Sequence, residues 1–277
     1  MRMSACRVFV MFCLGAAALL APAADAAAQY RPPPASGSIG EEYRIEASYG
    51  WWDASPSLVV NSESLDLLGT DVDLIQDLGI EQRRLGKFNL VLRPGRKHRL
   101  RFERLPIHYD ADAVIKRSFV FNGQAFNVGL PVQTTAKFDT YRFGYEYDFI
   151  YRSRGFIGAL LELKYTSVDV ELNSPIGEEF TRAAAPIPTV GLVARGYPTP
   201  KLAVTGEFSL FRMPESLATQ LDGRGTYTDY DVNATYNANR YFGLQAGYRK
   251  VNISYDVELD SGTLQFNGIY FGSVIRY

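Results

Sequence analysis

The feature that most constrains this chain is an alternation of apolar and polar residues with a period of two. Along 137–149, Tyr141, Phe143, Tyr145, Tyr147 and Phe149 fall on one side, and Arg142, Gly144, Glu146 and Asp148 on the other. A helix would scatter these residues around its axis, whereas a strand sorts them onto opposite faces. The same sorting recurs along 43–51, 87–92, 99–103, 157–166, 202–210, 229–236, 242–249 and 268–277, and more weakly along 189–195. About ten strands follow, with eight to twelve compatible with the pattern.

The connections alternate in length. Short ones occur at Arg93-Pro94-Gly95-Arg96, Tyr151-Arg152-Ser153-Arg154, Tyr197-Pro198-Thr199-Pro200 and Asn237-Ala238-Asn239-Arg240, all rich in turn residues. Long ones are expected around 53–82, 110–136, 169–187, 213–225 and 256–262. Short and long connections then gather at opposite ends of an antiparallel up-and-down array. The phase flips at Pro106 and after Tyr165 read either as bulges or as a change of surrounding medium.

Ahead of the strands stands a different kind of sequence. Arg2 and Arg7 precede an apolar run from Val8 to Ala21, followed by Ala24-Asp25-Ala26 and Ala26-Ala27-Ala28. That order reads as an export signal over 1–28, cut after Ala28. Residues 29–41, with Pro32-Pro33-Pro34, read as an extended linker, and 42–277 as one barrel domain. Both cysteines, Cys6 and Cys13, lie in the signal, so neither a disulfide scaffold nor a cysteine metal cluster is expected. A formal net charge of −1 gives no support for nucleic-acid binding.

Alternation alone does not say which face is inside. A soluble sandwich hides its apolar faces, and a membrane barrel turns them to lipid. Three features favour the membrane barrel. Aromatic residues such as Tyr43, Trp51, Tyr141, Phe149, Tyr236, Phe242 and Tyr277 gather near strand ends, as an interfacial girdle would. The opposite face carries charges of both signs at mid-strand. The chain ends on a strand closing with Tyr277. The expected fold is therefore all-β: a closed antiparallel transmembrane barrel.

With its signal, alternating strands and final segment Ile269-Tyr270-Phe271-Gly272-Ser273-Val274-Ile275-Arg276-Tyr277, the chain resembles the small outer-membrane β-barrel proteins of Gram-negative bacteria. The resemblance implies an outer-membrane location in contact with lipid and lipopolysaccharide. It also implies escort by periplasmic chaperones and insertion by the barrel-assembly machinery. The assembly signal would be read from Phe271, Ile275 and Tyr277, although Tyr277 stands where the family usually has Phe. A monomer without cofactor or metal is expected. Fold alone assigns no activity.

The expected interior face carries Arg44, Glu46, Lys87, Arg99, Arg101, Glu103, Arg142, Glu146, Asp148, Glu162, Lys164, Glu207, Asp229, Asp231, Arg249 and Arg276. A ring of about ten strands is only slightly wider than one its side chains fill, so these charges should pair into a plug. The expected role is structural, surface-binding or that of a narrow pore. Two alternatives stay open: a barrel hydrolase using His108 with Asp110 and Asp112, and a soluble periplasmic barrel holding an apolar ligand. Of the two histidines, His98 reads as a rim residue near a short turn. Asp71, Asp73 and Asp77 read as a solvated acidic loop. Lys116, Arg117, Arg182, Arg212 and Arg224 are loop cations that can meet lipopolysaccharide phosphates. Phe119–Phe126 reads as a hairpin around Asn122-Gly123 that projects outward.

Overall fold

The computed structural model describes residues 38–62, 71–121, 124–175, 177–216, 218, 223–257 and 260–277. The expected signal, its cleavage site and the Pro-rich run lie outside them. In chain order the strands are β1 Ile45–Ser62, β2 Val72–Asp73, β3 Arg83–Gly95, β4 His98–Val114, β5 Phe119–Phe121, β6 Gln124–Phe126, β7 Pro131–Arg152, β8 Gly155–Ser174, β9 Gly177–Thr199, β10 Leu202–Arg212, β11 Gly223–Asn237, β12 Phe242–Val257 and β13 Asp260–Arg276. Ten of them form an antiparallel ring in the order β1-β3-β4-β7-β8-β9-β10-β11-β12-β13, and β13 returns to pair with β1. The strand β2 adds to β1 alone, and β5 pairs only with β6.

The strands run longer than the alternation indicated. The segment 169–187, expected as a loop, is strand: β8 has 20 residues and β9 has 23, joined across 175–176. Much of 53–82, 110–136 and 256–262 is strand as well. At ~3.3 Å per residue and a tilt near 40°, a strand of this length spans roughly 50 Å, about twice the ~25 Å apolar band of such a barrel. The ring therefore continues well beyond one face of the membrane.

Strand β8 shows how one sequence serves both media. Its outward residues are Ile157, Ala159, Leu161, Leu163 and Tyr165, then Ser167, Asp169, Glu171 and Asn173. Its inward residues are Phe156, Gly158 and Leu160, then the buried Glu162, Lys164 and Thr166, then Val168, Val170 and Leu172. Where the wall meets acyl chains, apolar side chains face out and charges face in. Where it meets water, the arrangement reverses. The same reversal follows Trp51 in β1, Phe102 in β4, Phe143 in β7, Tyr248 in β12 and Ile269 in β13.

This reversal accounts for the phase flips without bulges. Strands β4 and β7 pair in unbroken register from His98↔Tyr147 to Val114↔Pro131, across Pro106↔Asp139. Strand β8 likewise keeps step with β7 and β9 through Tyr165. The pleat continues and the surroundings change.

At the closing seam, Gly50 stands opposite Gly272. A Cβ on Gly50 would lie 2.4 Å from the Phe271 carbonyl oxygen, and one on Gly268 would lie 1.9 Å from that of Asp53. Glycine lets the two backbones approach at the tightly coiled seam.

Each end of the ring has a cover. At the short-turn end, Ser38–Tyr43 turns into the mouth, with the Ile39 N–H donating to the Pro200 carbonyl (3.0 Å) and Ser38, Glu41 and Tyr43 buried. The last residues of the expected linker are thus built into the barrel. At the long-loop end, Leu74, Leu78, Phe119 and Phe126 are buried against the strands. The β5–β6 hairpin forms as expected, but it folds over the opening instead of projecting from it, because both its Phe119 and Phe126 side chains are apolar and find cover there.

Candidate functional site

The interior is the most elaborated part of the molecule, and it is stacked in layers. In the mouth at the short-turn end, the Glu41 carboxylate meets Arg99 (3.2 Å), Arg93 (3.3 Å) and Arg195 (3.4 Å), and accepts a hydrogen bond from the Tyr197 hydroxyl (2.7 Å). Above it, Arg99 pairs with Glu146 (2.5 Å) and Asp148, while Arg101 bridges Glu146 (3.0 Å) and Glu207 (2.5 Å). Arg142 donates to Glu162 through Nε (2.6 Å) and to Glu207 through Nη2. Lys87 reaches Asp231 (2.9 Å), Lys164 reaches Asp229 (3.0 Å), and Arg276 reaches Glu46 (2.5 Å). Arg249 donates to Asp229 (2.7 Å) and forms an ion pair with Glu103 (2.8 Å).

Among the described residues, nine cations (Lys87, Arg93, Arg99, Arg101, Arg142, Lys164, Arg195, Arg249, Arg276) face nine carboxylates (Glu41, Glu46, Glu103, Glu146, Asp148, Glu162, Glu207, Asp229, Asp231). Equal numbers matter because an unpaired buried charge is costly in a low-dielectric interior. Arginine predominates, and its planar fork can serve two carboxylates at once. The free space among these groups is about 70 Å³.

The charged layer gives way to an apolar one through rings that carry cations on their faces. Lys87 Nζ lies 4.1 Å from the Tyr270 ring centroid and Lys164 Nζ lies 4.3 Å from that of Tyr227. Each is a cation–π contact. Beyond them Trp52, Leu105, Ile107, Phe138, Val170, Leu264 and Phe266 fill the section. Arg117 ties the two covering loops together, donating to Asp77 (2.6 Å) and to the Asp71 carbonyl (2.9 Å). The hydrogen bond and charge of Asp77 hold the Arg117 guanidinium above its ordinary pKa. Asp77 is buried and Asp73 caps a turn, accepting from the Ile75 (2.9 Å) and Gln76 (3.1 Å) amides, so this acidic segment is not simply solvated.

Of the residues expected inside, Arg44 is exposed. The Arg44 and Ile45 N–H groups both donate to the Tyr277 carbonyl (2.7 and 2.9 Å). Two successive donors on one acceptor make a bulge, which slips the pleat by one residue. That slip turns Arg44 out and brings Tyr43, expected in the outer girdle, inside. The network also holds Glu41, Arg93, Arg195 and Tyr197, which the sequence reading left out. Arg93 and Arg195 extend the inward parity of β3 and β9 and were legible from it; Glu41 lies ahead of any alternation.

His108, Asp110 and Asp112 share a face of β4, but it is the outer, exposed one. His108 Nε2 lies 3.7 Å from Asp139, whereas Asp110 engages Arg83 (3.6 Å) and Asp112 accepts from Gln133 (3.2 Å). The three do not converge. His98 sits near the short-turn end, its Nδ1 2.6 Å from the Tyr145 hydroxyl. Lys116, Arg212 and Arg224 are exposed at the long-loop end. No cluster of three metal-ligating side chains occurs among the described residues.

No protein-family model matches the chain, and no curated protein matches it. Solved structures do. The outer membrane protease OmpT from Escherichia coli aligns with a TM-score of 0.53 at 9% identity, covering 84% of this chain and 96% of its own. The translocator domain of the autotransporter NalP from Neisseria meningitidis gives 0.44 at 8% identity (84% and 87%), and Ail of Yersinia pestis, in complex with a heparin analogue, 0.36 at 9% (83% and 99%). At such identities the likeness concerns fold alone. The closed ten-strand ring with an apolar outer band defines a Gram-negative outer-membrane β-barrel. The protein is an integral component of that membrane.

Proposed function

We propose that this protein is a non-conducting barrel that holds a rigid, capped extension above the outer membrane for surface contact. The observation that carries the reading is the filled cross-section. Arg99, Lys164 and Arg249 are almost wholly buried and ion-paired in the successive charged layers, and Trp52, Phe138 and Phe266 are buried in the apolar layer beyond them. Hydrated ions have no continuous polar path through an apolar layer of this kind. The soluble alternative does not fit, since it would need its apolar residues inside at the level where the charges lie. Nor does any observation favour a hydrolase at His108.

Sealing is tested by single-channel recording. The purified protein, inserted into planar bilayers, should show no steady unit conductance across ±100 mV. Reproducible steps of fixed size would overturn the proposal in favour of a narrow pore. In this reading the protein works as a monomer, and Phe271, Ile275 and Tyr277, all outward and exposed on β13 or just after it, serve as the assembly signal. The signal over 1–28 is removed before folding.

A further inference from the structure

A second site lies on the outer wall beyond the apolar band, across four neighbouring strands, β1, β13, β12 and β11. In these strands the buried Leu58, Leu264, Val251 and Tyr227 face the core, so the residues one and three places away from them face out. Well past the reversals at Trp51, Ile269 and Tyr248, the register sets Asn61, Ser261, Asp256 and Arg224 side by side in one outward row. The next row holds Val59, Thr263, Ser254 and Thr226. With Asp71 beside Asn61, the two rows line a cleft of about 390 Å³. That volume falls within the ~300–1,000 Å³ of small-ligand clefts. The hollow runs on beneath the β10–β11 connection, sharing Arg224, Thr226 and Asp256 with a second one there.

The polar groups of this face are uncommitted, unlike those of the interior. Of the seven polar side chains in the two rows, only Asn61 has a hydrogen-bond partner among the described residues, donating to Asp71 (3.0 Å). The Asn61 carboxamide oxygen is shielded from water and unpartnered, and an acceptor in that state costs free energy until a donor is supplied. Arg224 and Asp256 stand opposite each other in the register and cancel in charge. The remaining groups are hydroxyls and one carboxamide. Elsewhere beyond the apolar band the outer wall is charged, with Asp110, Asp112, Lys137, Asp169 and Glu171 turned outward on β4, β7 and β8.

We propose that this face binds a neutral saccharide chain through its hydroxyl groups. The donor set selects the ligand. Ser and Thr hydroxyls both donate and accept, as sugar hydroxyls do. Positions recur at roughly 4.8 Å across the strands and roughly 6.8 Å along them, so neighbouring strands can meet different hydroxyls of one sugar ring. A phosphate would call for clustered cations, and Arg224 is the one cation in the two rows. A protein interface would call for an apolar centre, and Val59 is the one apolar residue there. The sugar can belong to a glycolipid of the same membrane or to a free glycan; the chemistry that recognises it is the same. The inference deepens the surface-contact reading and rests on it, but it does not need a sealed interior.

The test titrates the folded protein, in zwitterionic detergent without sugar headgroups, with neutral hexasaccharides of glucose, mannose and N-acetylglucosamine. A sulfated hexasaccharide is run alongside. Saturable binding of at least one neutral probe is expected, tighter than that of the sulfated one. Thr263→Val with Ser254→Ala, which removes two hydroxyls and little volume, should weaken it about tenfold or more, while Asp110→Asn with Asp112→Asn, away from this face, should not. Retained heat-modifiable gel mobility shows that each variant is folded. Displacement of the bound hexasaccharide by lipopolysaccharide with core sugars, but not by lipid A, assigns the sugar to the membrane's own glycolipid; no displacement assigns it to a free glycan. No saturable binding of any neutral probe, equal binding by the Thr263/Ser254 variant, or tighter binding of the sulfated probe would overturn the site. A nitroxide at Ser261, in protein prepared from Gln29 onward, separates this failure from that of the surface-contact reading. Broadening there by a water-soluble nickel reagent supports that reading, and broadening by oxygen instead would overturn both.

Discussion

Replacing Arg249 by methionine is expected to lower the unfolding free energy of the barrel by about 3–5 kcal/mol, the usual cost of removing one member of a buried pair. The side chain is almost wholly buried and links Asp229 on β11 to Glu103 on β4, across the interior. Without it, among the described residues, Glu103 keeps Lys87 (3.8 Å) as its one ion-pair partner, and Asp229 keeps Lys164 (3.0 Å) and a long hydrogen bond from the Tyr227 hydroxyl (3.5 Å). Methionine occupies similar space, so the loss reports uncompensated charge and not a large void. Adding Asp229→Asn should recover part of the loss, because the amide needs no counter-ion; the double-mutant cycle isolates that coupling. Equilibrium urea unfolding of protein folded into lipid vesicles measures both. A loss below about 1 kcal/mol would mean that water screens this layer, as at a protein surface, and would argue for an open interior.

Phe138→Ala should cost about as much, 3–5 kcal/mol, for a different reason. Phe138 is 2% exposed and meets Phe266 edge-to-face at 5.6 Å between ring centroids. It belongs to the apolar layer of the part that stands outside the membrane, where the barrel is organised like a soluble protein. The loss is one of packing: transfer free energy plus the cavity left between β7 and β13. It should be accompanied by faster proteolysis at the long-loop end, since Leu74, Leu78, Phe119 and Phe126 belong to the same core. Phe143→Ala, five residues along the same strand but facing lipid, should cost much less, because acyl chains fill the space. Equal losses at the two positions would contradict the assignment of two media to one strand.

The ring and its polarity were legible because each β-strand carries its own record of what faces it. Ten segments alternated, and ten strands close the ring. The extent of those strands was not legible. Beyond Tyr165 and Leu105 the alternation continues with its sign reversed, and a sign reversal in sequence looks like a bulge or a loop until the register is known. In the interior network, Lys87, Arg142 and Asp229 followed from parity. Arg44 and Tyr43 did not, because a bulge at the start of β1 shifts the pleat by one residue, and nothing in the local sequence marks that slip. Glu41 was hidden for a related reason. Its place depends on where Ser38–Tyr43 turns into the mouth, a tertiary event that leaves no periodic trace.

The central claim is that a single unbroken strand faces lipid over one half and water over the other, with its second face enclosed throughout. The most direct measurement is a nitroxide scan of β8 from position 156 to 173 in membranes. Both cysteines lie at positions 6 and 13, so in protein prepared from Gln29 onward each label would be unique. Oxygen should broaden the labels at 157, 159, 161, 163 and 165, and a water-soluble nickel reagent those at 167, 169, 171 and 173, with neither reaching the even positions. Water-soluble reagent reaching Leu161 and Leu163, or oxygen reaching Glu162 and Lys164 more readily than their neighbours, would contradict the account.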